Sequence, residues 1–209
     1  MSDMHALIFT GGPFPFFDLP LPEAQLVIAA DSGGDHAEKL GLEVDLIIGD
    51  FDSCSEEAIE KAKEVRRFPT DKDVTDLELA LAAAIEKSVS SVTIITSARG
   101  RFDHIFGNIF VASSNRWRDL EIDLFADGSY TKVIRNKATL TGNPSDPLTL
   151  FAIGGTAFGI TSNGLKWELD GIDLSFGSGL GISNEFLAHE VEILIDEGTI
   201  ISIQSFDSH

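Results

Sequence analysis

The sequence predicts an α/β fold followed by an all-β region, in a chain of 209 residues. Up to about residue 128, short apolar runs rich in β-branched residues alternate with stretches of helical period. Beyond that point, short strand-like runs separated by turn pairs continue without a helical period. We therefore expect a mostly parallel sheet with helices on both faces over residues 1–128, followed by a small antiparallel β-sandwich over residues 129–209.

The first part contains apolar runs that are too short for helices and are typical of buried strands. They are residues 6–10, 26–30, 46–48, 92–96 and 122–125, with 65–68 as a weaker candidate.

Helix start signals lie between these runs. Ser32 and Ser55 precede predicted helices over 33–40 and 56–64, and a Thr75–Glu78 capping box opens a helix over 76–87. Asp103 is expected to cap a helix from residue 104 to about 116.

The second part is predicted to consist of strands joined by tight turns. The strands are residues 131–134, 138–140, 148–153, 158–161, 172–176, 191–195 and 199–203. The turn pairs are Asn163-Gly164, Asp170-Gly171 and Glu197-Gly198.

Charge excludes several classes of partner. The chain has 15 Lys and Arg against 34 Asp and Glu, a net charge of −19, which repels nucleic acids and anionic membranes. It has one cysteine, Cys54, and hence no intramolecular disulfide. We find neither a secretory signal nor an apolar run of the ~18 residues that a membrane span needs. The sequence therefore predicts a cytoplasmic protein.

Acidic residues follow several of the predicted strands. Asp31 follows one strand, Asp50 and Asp52 follow another, and Asp73 and Asp76 precede a helix. Ligands of an open parallel sheet bind outside the carboxyl ends of its strands, so these carboxylates are expected to meet in one crevice.

Asp50 and Asp52 are spaced so that both side chains can reach one divalent cation. Mg²⁺ prefers hard oxygen ligands and is commonly completed by substrate phosphates, so the pattern favours a Mg²⁺–phosphate site. The alternative is that these residues only cap helices and occupy turns, where Asp is common.

Residues 97–104 are expected to join the same edge of the sheet. This segment offers Arg99, Arg101, a glycine and a helix N-terminus, which together can bind a polyphosphate. The alternative is a surface loop with solvated arginines, and His104 alone is typical of a structural histidine.

In the second part, Trp167 lies in a turn-rich segment. It can be a core residue, which is the commoner case, or a stacking surface for a flat or cationic ring. Residues 181–185 form a polar loop that the sequence alone identifies as an ordinary hairpin turn.

Taken together, the ordered motifs resemble those of the thiamine pyrophosphokinase family. They are Ala30-Asp31-Ser32-Gly33, residues 45–53, residues 72–78, Gly100-Arg101-Phe102-Asp103-His104, Gly164-Leu165-Lys166-Trp167 and Ser183-Asn184-Glu185. Lys72 stands where the family often has glutamine.

The resemblance implies an α/β nucleotide-binding domain followed by a β-sandwich that binds thiamine and dimerises. It implies transfer of a pyrophosphoryl group from ATP, the co-substrate, to the hydroxyethyl oxygen of thiamine, which releases AMP. It also implies a homodimer with sites shared between subunits.

By match to the family's motifs, the Mg²⁺–ATP site is assigned to Asp31, Asp50, Asp52, Asp73 and Asp76. Among these, Asp50, Asp52 and Asp73 are the predicted metal ligands, and Asp73 or Asp76 either holds a second metal or accepts the proton. Nucleotide contacts are assigned to Asp31, Ser32, Gly33, Arg101, Asp103 and His104. Thiamine contacts are assigned to Trp167, Ser183 and Asn184.

Three other functions are compatible with the residues themselves. A Mg²⁺-dependent phosphatase and a nucleotide-sugar transferase both use an Asp-x-Asp after a strand. A non-catalytic regulator that binds nucleotide or thiamine is the third, although simple binding hardly requires so many like charges together.

Overall fold

The computed structural model describes residues 4–17 and 20–205. The chain divides into two compact units, residues 1–111 with 119–127 and residues 112–118 with 128–209. The predicted domains, 1–128 and 129–209, differ from these units in where residues 112–118 and residue 128 belong. The predicted fold class, α/β followed by all-β, is confirmed.

The first unit contains a parallel sheet in the order β6-β5-β1-β2-β3-β4. Its strands are β1 (His5–Phe9), β2 (Leu26–Ala30), β3 (Leu46–Gly49), β4 (Glu64–Arg67), β5 (Ser91–Thr96) and β6 (Glu121–Ala126). The central strands are almost wholly buried, as expected for a parallel sheet.

Four helices connect these strands in the described chain: α1 (Gly33–Lys39), α2 (Glu56–Lys61), α3 (Asp76–Glu86) and α4 (Phe102–Ser113). The Thr75–Glu78 capping box forms as predicted, because each side chain accepts a hydrogen bond from the other residue's backbone N–H. Ser32 makes no such bond to α1, whereas Ser55 accepts one from the Ala58 N–H. None of the described helices is long and apolar enough to cross a membrane.

Two predicted helices have different bounds. The helix predicted over 56–64 ends at Lys61, because Glu64 already pairs with Leu46 in the sheet. The helix expected from residue 104 begins at Phe102, so Asp103 lies in its first turn rather than at its cap. A 3₁₀ turn over Asn115–Trp117 follows α4.

The second unit contains two antiparallel sheets, in the orders β12-β9-β14-β7 and β11-β10-β13-β8. Their strands are β7 (Ser129–Ile134), β8 (Lys137–Thr141), β9 (Pro147–Ala152), β10 (Ala157–Asn163), β11 (Ile172–Leu174), β12 (Asn184–Glu185), β13 (Glu190–Leu194) and β14 (Ile200–Ser205). One apolar core is shared by both sheets, with Leu148 and Ile200 from the first and Ile160 and Ile193 from the second. This is the predicted β-sandwich.

Candidate active site

Asp31 lies directly after β2, in a backbone conformation that is uncommon for a residue with a side chain. Its φ is +52°, and its N–H donates a 2.9 Å hydrogen bond to the Ile48 carbonyl of β3. The Ser53 hydroxyl donates to Asp31 Oδ2, while Oδ1 is buried and has no hydrogen-bond partner among the described residues. A buried oxygen left without a partner is costly, so Asp31 is suited to receive an external cation.

Asp50 and Asp52 follow β3, and the residue between them sets their geometry. Phe51 has φ of +64°, so the segment is not the regular strand on which the sequence argument relied. Its ring is buried, and the Arg67 guanidinium lies 4.7 Å from the ring centroid. The Asp52 N–H donates a 3.1 Å hydrogen bond to Asp50 Oδ1, and this bond is the main reason that the pKa of Asp50 is lowered.

Asp31, Asp50 and Asp52 bring one carboxylate oxygen each within 4.8 Å of one another. β2 and β3 are adjacent in the sheet, so their carboxyl ends place these side chains together. Three carboxylates are a hard-oxygen donor set that suits Mg²⁺. With the unpartnered oxygen of Asp31, the residues present fit such an ion.

The structure does not bring Asp73 into this group. Of the predicted metal ligands, Asp50 and Asp52 belong to the cluster, whereas Asp73 is exposed in the loop between β4 and α3. Asp31 takes the third place in the described cluster. The metal-binding role of Asp73 stays a prediction.

Asp76, the first residue of α3, lies close to the cluster. Lys72 Nζ is 3.2 Å from Asp76 Oδ1 and 3.9 Å from Asp50 Oδ2. Burial is the largest effect on Asp76, and it raises the pKa of this carboxyl despite the neighbouring ammonium. Lys72 therefore connects the β3 loop to the start of α3.

A cavity of about 570 Å³ opens at the carboxyl ends of these strands, within the first unit. Seven predicted residues line it: Asp31, Ser32, Asp52, Asp76, Arg101, Asp103 and His104. Gly33, Asp50 and Asp73 are outside its described lining. Gly33 has a packing role, since a Cβ there would lie 2.2 Å from the Phe9 carbonyl oxygen, so only glycine lets α1 approach β1 so closely.

The two arginines of the 97–104 segment have different surroundings. Arg99 donates from Nη2 to the Phe14 carbonyl at 2.7 Å and to Asp127 Oδ1 at 3.2 Å. Arg101 is exposed and pairs with Asp103 at 2.6 Å. Because an exposed ion pair is weak, Arg101 can exchange Asp103 for a phosphate at little cost.

Asp127 is a structural residue of the site that the sequence argument missed. Its carboxylate accepts from the Ser97 hydroxyl at 2.6 Å and from the Ala98 N–H at 2.7 Å, as well as from Arg99. Burial opposes its ionisation, but these hydrogen bonds outweigh it and lower the pKa of Asp127. In the sequence, Asp127-Gly128-Ser129 indicated only a change of architecture.

Glycines after β1 were also missed. Gly11 and Gly12 line the cavity, and a Cβ on Gly11 would lie 2.7 Å from Ser32 Oγ. A glycine pair directly after a buried strand was the available signal, but it is too short to match a dinucleotide motif.

Cys54 is no nucleophile, because burial raises the pKa of its thiol to about 12.

In the second unit, Trp167 is 54% exposed, so the alternative that it is a core residue is wrong. The loop between β10 and β11 carries it, and Lys166 Nζ lies 4.6 Å from the ring centroid. The backbone N–H of Trp167 donates to Asn184 Oδ1 at 3.1 Å, and Asn184 Nδ2 donates to the backbone carbonyl of Trp167 at 2.8 Å. Asn184 thus fixes the backbone that presents the indole.

Residues 181–185 are not an ordinary hairpin turn. Asn184 and Glu185 form the short strand β12, which pairs with β9, and Asn184 is buried. Ser183 is exposed with φ of +60°, and its N–H donates to Thr149 Oγ1 at 3.3 Å. The structure therefore brings Trp167 and Asn184 into direct contact, and Ser183 directly precedes Asn184 in the chain.

Comparison with known proteins gives two family matches. Residues 17–128 match the model described as thiamin pyrophosphokinase, catalytic domain, and residues 141–200 match the thiamin pyrophosphokinase vitamin B1 binding domain.

Relatives of this chain carry the same name. A thiamine pyrophosphokinase of Bacillus subtilis is 30% identical over 96% of this chain and 98% of its own. The crystal structure of the Bacillus subtilis thiamine pyrophosphokinase matches with a TM-score of 0.84 at 26% identity, covering 97% of this chain and 99% of that one. A thiamin pyrophosphokinase structure from Geobacillus thermodenitrificans gives a TM-score of 0.82 at 26% identity, over 98% and 99% of the two chains. These matches confirm the resemblance predicted from the motifs, and the chain belongs to the thiamine pyrophosphokinase family.

Proposed function

We propose that this chain transfers a pyrophosphoryl group from ATP to the hydroxyethyl oxygen of thiamine, giving thiamine diphosphate and AMP. Membership of the family makes it an enzyme of the thiamine diphosphokinase type. The observation that carries the detailed proposal is the carboxylate cluster of Asp31, Asp50 and Asp52 beside a cavity of about 570 Å³.

Asp31, Asp50 and Asp52 are proposed to hold one Mg²⁺ ion. When bound, such an ion neutralises phosphate charge and polarises the phosphoryl oxygens. The family match does not specify the metal, so this assignment rests on the donor set and on the unpartnered oxygen of Asp31.

Arg101 is proposed to contact the polyphosphate after releasing Asp103. It lines the cavity and is exposed, and its carboxylate partner is exposed as well. Ser32 and His104 line the same cavity and are assigned to the nucleotide.

Asp76 is the proposed acceptor of the hydroxyl proton of thiamine. Asp76 lines the cavity at the start of α3, whereas Asp73 is exposed and outside the described lining. As an alcohol is a weak nucleophile, positioning and charge neutralisation supply most of the catalysis, and the proton acceptor supplies the remainder.

Trp167, with Ser183 and Asn184, is proposed to bind thiamine. The thiazolium ring is a cation, and an exposed indole beside it provides a cation–π contact. Asn184 holds the tryptophan backbone at both its N–H and its carbonyl, which limits the loop's freedom to move away.

A homodimer with sites shared between subunits is also proposed. Each unit has exposed large apolar side chains that an interface could cover: Phe102, Phe106 and Phe110 in the first unit, and Phe176, Leu180 and Leu187 in the second. The cytoplasmic location stays a prediction.

The deciding experiment is a product analysis of purified protein with ATP, Mg²⁺ and thiamine. We expect AMP and thiamine diphosphate in equal amounts, and neither product from Asp50→Asn. Free phosphate without AMP would indicate a phosphatase instead. Thiamine binding without any turnover would indicate a regulator.

A further inference from the structure

Lys72 is a charged residue beside the carboxylate cluster that the proposed chemistry does not use. Its side chain is only 11% exposed, and it is absent from the described lining of the cavity. Burying an ammonium is costly unless carboxylates and hydrogen bonds compensate for it.

Two carboxylates from different elements supply that compensation. Lys72 Nζ is 3.9 Å from Asp50 Oδ2 after β3 and 3.2 Å from Asp76 Oδ1 at the start of α3. Nζ also donates to the Pro69 carbonyl at 3.2 Å. The ammonium thus occupies a position between two carboxylates, where a divalent cation could otherwise bridge them.

The two oxygens of Asp50 have separate roles. Oδ1 accepts the N–H of Asp52, its neighbour in the carboxylate cluster, whereas Oδ2 is directed at Lys72. Asp76 Oδ1 is buried, and besides the Lys72 ion pair it has no hydrogen-bond partner among the described residues. The carboxylate cluster can therefore accept an external cation, while the Lys72 ammonium already lies beside Asp50 Oδ2.

We propose that Lys72 is a resident cation that pairs with Asp50 and Asp76 in place of a second divalent ion, so that the chain without nucleotide binds one divalent cation, at Asp31, Asp50 and Asp52. The inference rests on the proposed metal site. Lys72 is a positioning residue in this account, because it acts through Asp50 and Asp76.

The test is Mn²⁺ binding without nucleotide, followed by the paramagnetic resonance signal of the free ion. We expect wild type to bind one Mn²⁺ per chain. Lys72→Gln and Lys72→Met each remove the charge, and we expect a stoichiometry rising towards two and binding roughly tenfold tighter. Lys72→Arg keeps the charge and should restore wild-type binding.

The matched control is Lys87→Gln, since the Lys87 side chain is also largely buried, at 28% exposed, and its Nζ lies 2.7 Å from Glu64 Oε2. This variant should bind Mn²⁺ as wild type does. The inference is overturned if both neutral Lys72 variants bind one Mn²⁺ with affinity within threefold of wild type, or if both fail to fold, which would make Lys72 a structural residue only.

A second pair of variants separates this inference from the metal site itself. Asp50→Asn and Asp52→Asn should each weaken Mn²⁺ binding at least tenfold. If they do so while the neutral Lys72 variants do not change it, only the inference about Lys72 fails. If wild type binds no Mn²⁺ that these substitutions weaken, the proposed metal site fails as well.

Discussion

Replacing Trp167 with alanine tests whether this residue binds thiamine or supports the fold. The indole is 54% exposed and lies in a loop, so its removal leaves no large cavity. Exposed side chains outside caps and ion-pair networks typically change stability by about 0.5 kcal/mol or less. We therefore expect the melting transition of Trp167→Ala to lie within a few degrees of wild type.

The thiamine kinetics should change much more than the stability. A cation held against an indole face contributes about 0.5–2 kcal/mol, which corresponds to roughly a 2- to 30-fold change in affinity. We expect the Michaelis constant for thiamine to rise within that range in Trp167→Ala, and the Michaelis constant for ATP to change less than twofold. Steady-state kinetics with each substrate varied at saturating levels of the other measures both.

The chain provides a matched control in its other tryptophan. Trp117 is 2% exposed, and truncation of a buried indole costs about 3–5 kcal/mol. For a chain of this size the cost corresponds to a melting temperature lower by roughly 6–20 °C. Trp117→Ala should show that loss and nearly normal Michaelis constants in the fraction that remains folded.

Lys166 sharpens the test further. Its ammonium lies 4.6 Å from the Trp167 ring centroid and pairs with Glu185 at 2.8 Å, so it competes with a cationic ligand for that ring. Lys166→Met should leave the thiamine Michaelis constant unchanged or lower it. The stacking hypothesis is refuted if Trp167→Ala keeps a normal thiamine constant, or if Lys166→Met raises that constant as much as Trp167→Ala does.

Three other predictions concern the first unit. Asp50→Asn and Asp52→Asn should each lose more than about 90% of turnover at limiting Mg²⁺ while keeping a normal melting transition, because each removes a charge that is proposed to bind metal. Near-normal turnover would exclude that residue as a ligand. Arg101→Ala should raise the Michaelis constant for ATP several-fold, whereas a lysine substitution of the same residue should recover part of the loss. Burial raises the pKa of Asp76, so ionising this carboxyl costs more in the folded chain than in the unfolded chain. The ionised carboxylate therefore lowers the stability of the fold at pH values above the ordinary pKa of an aspartate side chain. Asp76→Asn should therefore melt at a higher temperature than wild type at pH 7, and the difference should shrink as the pH falls towards about 4; an equal difference at both pH values would contradict this reasoning.

The sequence predicted the elements of the first unit well, because buried parallel strands are short apolar runs and their helices carry start signals. The capping box at Thr75 is the clearest case, since both of its hydrogen bonds form. The same pattern could not set the end of α2. Residues 62–64 continue a helical composition, but Glu64 gains a sheet partner in Leu46, and that tertiary pairing overrides local preference.

The carboxylate cluster of Asp31, Asp50 and Asp52 was predicted in part, and the reason is how far each residue lies along the chain from the end of a strand. Asp31, Asp50 and Asp52 come within three residues of the end of a buried strand, so the sheet itself fixes their positions. Asp73 lies six residues beyond the end of β4 at Arg67, in a loop whose conformation no strand determines. The sequence predicted that Asp73 and the three cluster residues share one edge of the sheet, but not which of these carboxylates come together.

The depth of a residue was the hardest property to predict. Tryptophan is highly buried on average, and only the structure shows that Trp117 follows that tendency while Trp167 does not. The residue that positions the Trp167 backbone lies in another segment of the chain. Asn184 bonds both the N–H and the carbonyl of Trp167, and such a pairing between positions 17 residues apart cannot be recognised from one sequence.

The distribution of cations explains how so acidic a chain can bind a polyphosphate. Near the cavity, Arg99 is committed to Asp127 and to the Phe14 carbonyl, and Lys72 is committed to Asp50 and Asp76. Arg101 is held more weakly than either, because its ion pair with Asp103 is exposed to water on both sides. One guanidinium cannot neutralise a triphosphate. In the proposed site, most of the compensating charge would come from a metal ion held by the carboxylates, so the acidity of the chain would favour binding of the anion.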